Sequence, residues 1–208
     1  MKKQMTVSIS MMACIALALI FTGIARSQGK GPTEMMKGVV GEVFHTLQTY
    51  PVDGPAENNH LRRDAIRKII DANFDSIEMS RRALGPYWKE ISEDQQRQFT
   101  QLFYWRLYNF YILRVEAYSD EKVLYNKEIL KGNVAAVYTQ VSSKKYPEFD
   151  IEYRLKQEGE NWKIYDVVIE GVSLVANYRS QFSSFLSKKS FEELLKALRE
   201  KNPEDPMR

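Results

Sequence analysis

Two aspartates, Asp75 and Asp166, have the strongest claim to chemistry in this chain of 208 residues. Each stands among residues of core type, and a carboxylate held in apolar surroundings is a candidate general base. The same setting suits a structural role, in which the acid satisfies a backbone amide or pairs with a basic residue such as Arg179. That structural role is the expected one. The two histidines, His45 and His60, belong to no metal box, so no metal centre is expected. Ser80, Ser173 and Ser180 have no histidine nearby in sequence, and neither a Gly-rich phosphate loop nor a nucleophile elbow occurs. No catalytic residue is assigned. The stretch Trp162 to Phe182, WKIYDVVIEGVSLVANYRSQF, mixes acidic, basic and aromatic residues without forming a triad. It reads as a shaped apolar surface, which points to binding.

The address of the chain bears on its partners. Lys2 and Lys3 precede an apolar run from Met11 to Ala25, with small residues at Gly23, Ala25 and Ser27. This is the pattern of a cleaved secretory signal over residues 1–27. The run falls short of the ~20 residues that a membrane-spanning helix needs. Lys and Arg number 30 against 27 Asp and Glu, and the three excess cations are Lys2, Lys3 and Arg26. The mature chain is therefore neutral, which argues against a nucleic-acid partner. The only cysteine, Cys14, leaves with the leader, so the exported protein depends on its core. One domain over residues 28–201 is expected, followed by a flexible tail at 202–208.

Periodicity places the elements that must hold any site. Apolar residues at helical spacing predict helices over 33–49 and from Asn58 onward, with Leu61, Ala65, Ile66, Ile69 and Ile70 on one side. A shorter helix over 75–84 should stop at Gly85-Pro86. Ser92 with Gln95 forms a capping box. The helix that follows carries eight aromatics between Phe99 and Tyr118, spread around its circumference, so it is expected to contact neighbours on two sides. Strands are predicted over 123–129, 134–141, 149–155 and 162–169, joined by short turns as an antiparallel meander. Gly171 is expected to turn the chain so that strand and helix diverge. Two helices, 173–186 and 191–201, complete an α+β domain, the second with a capping box of Ser190 and Glu193.

The block WKIYDVVIEGVSLVANYRSQF resembles the hallmark of the periplasmic toluene-tolerance (MlaC) family. Phe74-Asp75, Ala83-Leu84-Gly85 with Trp88, Gln96-Arg97, Phe99 with Phe103, and Phe191 with Leu194, Leu195 and Leu198 fit that pattern in order. The resemblance implies helices packed on a curved antiparallel sheet of about four strands, NTF2-like in general shape, enclosing an apolar lipid pocket. It implies a periplasmic carrier, monomeric and not an enzyme, with a phospholipid as cargo and no cofactor. Its partners would be an inner-membrane ABC transporter complex with its lipid-binding domain and an outer-membrane lipoprotein complex. The residues expected near the pocket are Leu84, Trp88, Phe99, Phe103, Tyr153, Val168, Ile169, Val172, Leu174, Tyr178 and Phe182. Alternatives are a hopanoid-associated carrier of the same family, an envelope adaptor whose aromatics are all core, and a small-molecule enzyme with a cone-shaped α+β pocket using Asp166 or Asp75 as base.

Overall fold

The computed structural model of the chain describes residues 30–118, 121–143 and 147–201. The expected leader at 1–27 and tail at 202–208 lie outside these residues. Helix α1 spans Pro32–Thr49, with proline in the first turn, where its missing N–H costs no helical bond. Helix α2 spans Asn58–Asn73. Asp75 then caps α3 (Ser76–Leu84), its Oδ1 accepting from the Glu78 N–H at 2.8 Å. Gly85, at φ +59°, ends that helix, and a 3₁₀ turn follows over Gly85–Lys89. The positive φ favours glycine there, and an added Cβ would also lie 3.0 Å from Arg179 Nε, which would have to shift. The Ser92–Gln95 capping box starts α4 (Glu93–Glu116).

The inward face of α2 carries Ile66, Ile69 and Ile70 as its apolar residues predict, and departs from that prediction in the first turn. Leu61 is 49% exposed, and Arg62, only 1% exposed, takes the inward position one residue later. Its guanidinium is satisfied there. Nε donates to Glu116 Oε1 at 3.0 Å, Nη2 to Asn59 Oδ1 at 2.6 Å, and Nη1 to the Tyr50 carbonyl at 3.2 Å. Arg63 Nε reaches the same Glu116 oxygen at 3.0 Å. Burial works to raise the Glu116 carboxyl, but hydrogen bonds from Arg63 and Arg62 outweigh it and hold the group below its ordinary value. The clamp ties the α1–α2 connection to the end of α4.

Strands β1 (Lys122–Lys131), β2 (Val134–Ser142), β3 (Phe149–Glu158) and β4 (Asn161–Ile169) pair antiparallel in chain order. A fifth strand, β5 (Val172–Ser173), was not foreseen in the sequence. Glu170 and Gly171 both have positive φ, at 48° and 75°, the combination that closes a two-residue hairpin. The Glu170 N–H donates to the Asp150 carbonyl at 3.0 Å, and its carboxylate accepts from the Asp150 N–H at 2.5 Å. Gly171 therefore folds the chain back onto β4 and does not part strand from helix. Helix α5 (Leu174–Leu186) starts directly after β5, capped by Ser173, and α6 (Phe191–Glu200) closes the described chain.

Two bulges bend the sheet. Asn126 is the extra residue between the Tyr125↔Thr139 and Lys127↔Tyr138 pairs, and Tyr165 is extra between Leu155↔Ile164 and Arg154↔Asp166. The second bulge also switches the phase of β4. Before it, Ile164 lies opposite Leu155 on the inner face, whereas after it Val167 and Ile169 lie opposite Tyr153 and Ile151. Asp166 and Val168 are thereby turned to the outer face, and both are buried.

Three apolar clusters hold the layers together. Met36 of α1 packs on Val137, Leu155, Trp162 and Ile164 of the inner sheet face. Leu47, Ile66 and Ile112 join α1, α2 and α4. The largest cluster gathers α3, α4, α5 and α6 around Phe99, Phe103, Tyr178 and Phe182. Helix α4 thus packs on two sides, with Phe99 and Phe103 towards α5 and Ile112 towards α1 and α2.

One carboxylate makes stability depend on acid. Glu78 is buried and accepts from Arg81 Nε at 2.7 Å, Arg81 Nη2 at 2.6 Å and Arg82 Nε at 2.8 Å. The Arg81 hydrogen bond, helped by Arg82 and opposed by burial, holds its carboxyl at about 2, below the ordinary 4.5. A depressed folded-state value stabilises fully above the unfolded value and is lost as pH falls through the folded one. The difference in urea midpoint between the native chain and Glu78→Gln is expected to be constant near neutrality. It should shrink as pH drops from 4.5 to 2, and a pH-independent difference would contradict this.

Candidate functional site

Where the three clusters meet, the interior is left unfilled. The cavity has a volume of about 580 Å³ and lies between the inner sheet face and α1, α2, α3 and α4. Helix α1 contributes Val39, Val43 and Phe44, α2 contributes Ile66, Ile69 and Ile70, and α4 contributes Leu107, Tyr108 and Tyr111. Ile151, Tyr153, Val167 and Ile169 form the sheet wall. Burial pushes the phenols of Tyr104, Tyr108, Tyr111, Tyr118 and Tyr153 above their ordinary value, so all five stay neutral at physiological pH. Among the described residues the lining includes a single charged side chain, Arg114. Arg114 is exposed, as are Phe110, Val172 and Asn177, which places these four at the mouth.

The residues expected near a pocket divide sharply. Phe103, Tyr153, Ile169, Val172 and Leu174 line the cavity. Leu84, Phe99, Tyr178 and Phe182 do not; they fill the cluster between α3, α4, α5 and α6, with Phe99 and Phe182 in edge contact at 5.3 Å between ring centroids. Val168 faces away from the cavity because the Tyr165 bulge reverses its strand's phase. Trp88 lines a separate polar groove of about 620 Å³ with Arg67, Gln96 and Trp105. That groove adjoins the cavity, since Ser76 and Tyr104 line both.

The contributions of α1 and α2 were absent from the sequence expectation. Their apolar faces carry the periodicity of ordinary core, and periodicity cannot tell a wall facing a void from one facing a neighbour. One signal was readable. Adjacent strand residues point to opposite faces, so Val168 and Ile169 could not both belong to one wall.

The candidate acids are fully employed in the fold. Asp75 serves as the α3 cap described above. Asp166, 3% exposed, accepts from Ser173 Oγ at 2.6 Å, the Val175 N–H at 3.1 Å and Arg154 Nη1 at 3.2 Å. Its basic partner is Arg154 across the strand pair, not Arg179. Proximity in sequence favoured Arg179, but the register places Arg154 directly opposite Asp166. The carboxylate binds β4, β5 and the first turn of α5 together. Asp166→Ala should therefore cost about 1–3 kcal/mol of stability by stranding these donors. Unfolding by urea checks this, and an unchanged midpoint would contradict it.

His45 and His60 are both exposed. Among the described residues no group of three or more His, Cys, Asp or Glu could hold a metal ion. No described helix is long and apolar enough to cross a membrane. The cavity offers an apolar shape, and among the described residues its internal polar side chains are the hydroxyls of Ser76, Ser80 and the tyrosines. Such a lining can solvate hydrocarbon.

Comparison with known proteins gives four findings. The family model described as MlaC protein matches residues 37–200. The toluene tolerance protein Ttg2D of Pseudomonas putida is 20% identical over 159 residues, covering 76% of this chain and 74% of that protein. The intermembrane phospholipid transport system binding protein MlaC of Haemophilus influenzae is 21% identical over 172 residues, covering 79% and 78%. Among solved structures, a phospholipid-binding protein from Ralstonia solanacearum in complex with a phospholipid superposes with a TM-score of 0.73. It is 22% identical, and the match covers 81% of this chain and 94% of that one.

Proposed function

This chain belongs to the MlaC family, and from that premise we propose that it binds a phospholipid by its acyl chains and carries it between the outer and inner membranes. The observation that carries the reading is the cavity itself, about 580 Å³ with apolar walls and, among the described residues, one charged side chain, at the mouth. Two acyl chains of about thirty methylenes represent roughly 25 kcal/mol of water avoidance at ~0.8 kcal/mol each. A carrier must match that term without exceeding it, so that tails can leave for a bilayer. An apolar interior does so, because it resembles the bilayer interior.

The carrier has no reaction to perform. The two aspartates best suited to act as bases are both engaged as structural acceptors, Asp75 by a helix N-terminus and Asp166 by three donors. The N-terminal segment 1–27 acts as a cleaved export signal that delivers the chain to the periplasm. There it exchanges lipid with an outer-membrane lipoprotein complex and with the lipid-binding domain of an inner-membrane ABC transporter. Support comes from the family itself and from its relatives, which include an intermembrane phospholipid transport system binding protein and a structural neighbour in complex with a phospholipid.

A two-vesicle assay tests the proposal. Donor vesicles hold a tail-labelled phospholipid and acceptor vesicles hold none. The purified chain should accelerate transfer in proportion to its concentration. No acceleration over vesicles alone would sink the carrier reading.

A further inference from the structure

A single cation at the edge of a hydrocarbon cavity needs a reason. Arg114 lies on the last turn of α4, exposed, and is the one charged residue among the described residues of the cavity lining. It is also held in place. Nη1 donates to the Phe110 carbonyl at 3.0 Å, and the guanidinium carbon stands 4.5 Å from the Phe110 ring centroid and 5.5 Å from that of Tyr111. Rings and carbonyl together hold the group against α4 at the mouth. Among the described residues Arg114 enters no ion pair, although the fold elsewhere pairs its buried carboxylates with arginine, as at Glu78, Glu116 and Asp166. A guanidinium has five N–H donors in a planar fork, and one is used here. Among the described residues, the rest of the rim, Phe110, Val172 and Asn177, includes no carboxylate.

The boundary between tails and water is where a phospholipid carries its phosphodiester. With chains seated between α1, α4 and the sheet, the phosphate must lie at the cavity edge. A fixed guanidinium there matches its charge and its paired oxygens. Resting on the phospholipid reading above, we propose that Arg114 grips the phosphodiester of the bound lipid at the rim. The cavity then selects by two criteria: chains fill the interior, and Arg114 favours phosphate-bearing lipids over neutral ones with identical chains.

Displacement of a tail-labelled lipid from the loaded full-length protein tests this, with dioleoylphosphatidylglycerol and dioleoylglycerol as competitors. The native protein should prefer the phosphatidylglycerol. Arg114→Gln should reduce that preference by roughly five- to tenfold and leave competition by dioleoylglycerol unchanged, the solvated position of the group limiting the effect. Arg114→Lys, which keeps the charge and loses the fork, should fall between. An unchanged preference in Arg114→Gln would overturn the proposal, as would an equal loss for both lipids, which marks a purely structural residue. Inorganic phosphate alone supplies the remaining arm. Binding of phosphate as tight as that of the lipid, and lost in Arg114→Gln, would mean a free-anion site and overturn the lipid assignment. Failure of the native protein to take up either lipid would defeat the carrier reading itself, and this proposal with it.

Discussion

Replacing Phe99 with alanine is expected to remove about 3–5 kcal/mol of stability while leaving lipid binding in place. The side chain is 0% exposed and lies at the centre of the cluster joining α3, α4, α5 and α6. Its ring contacts Phe103 at 5.6 Å, Phe182 at 5.3 Å and Phe191 at 6.1 Å between centroids, so truncation strips partners from three other rings at once. Three helices converge on the site and cannot all collapse into the void. Phe99 lies one turn before Phe103 in the cluster and does not line the cavity, so lipid should still load when the variant is folded. Urea unfolding monitored by tryptophan fluorescence gives the stability, and lipid uptake below the transition gives the function. A loss below about 1 kcal/mol would show that the cluster is loosely packed. A folded variant unable to load lipid would mean that Phe99 belongs to the cavity after all.

The second large effect runs the other way, with function lost and the fold kept. Val167 is half-buried, lies opposite Tyr153 on the inner sheet face and lines the cavity. An indole at that position points into empty space, so the overpacking cost of a filled core does not arise. The ring instead occupies volume that acyl chain would fill. Displacing two methylenes costs the bound lipid roughly 1.6 kcal/mol, and a larger plug costs more, so Val167→Trp should weaken loading by at least about tenfold. The thermal midpoint should stay close to that of the native chain. Val172→Trp should act more weakly, because Val172 is 56% exposed at the mouth and an indole there can swing into solvent. Equal loading by Val167→Trp and the native chain, measured by uptake of tail-labelled phospholipid, would remove this wall from the binding site.

These two expectations also mark how far the sequence could be read. The capping boxes at Ser92 and Ser190, the alternation from Phe149 to Leu155 and the break at Gly85 are local signals, and each element they predict is present with bounds close to those expected. The fold class follows from them. What failed depended on pairing between distant segments. The extra residue at Tyr165 leaves no mark on the alternation of β4, yet it decides that Val167 and Ile169, not Val168, face the cavity. Arg154 became the partner of Asp166 through strand register, which sequence distance does not reveal. Arg62 buried itself by meeting Glu116, 54 positions away, against the ordinary preference of arginine for water. Phe99 and Phe103 are both aromatic, one turn apart and fully buried, but only Phe103 reaches the cavity wall. Residue type and spacing place a side chain in the interior; tertiary packing alone decides whether it meets a neighbour or a void.

Among all the expected results, the content of the cavity is the most direct. The protein should be purified from the periplasm without detergent, extracted with organic solvent and the extract analysed by mass spectrometry. A dry apolar cavity of this size is expected to retain its cargo through purification, giving phospholipid in amounts stoichiometric with protein. A cavity that is reproducibly empty, in protein that also takes no phospholipid from vesicles, would contradict the carrier.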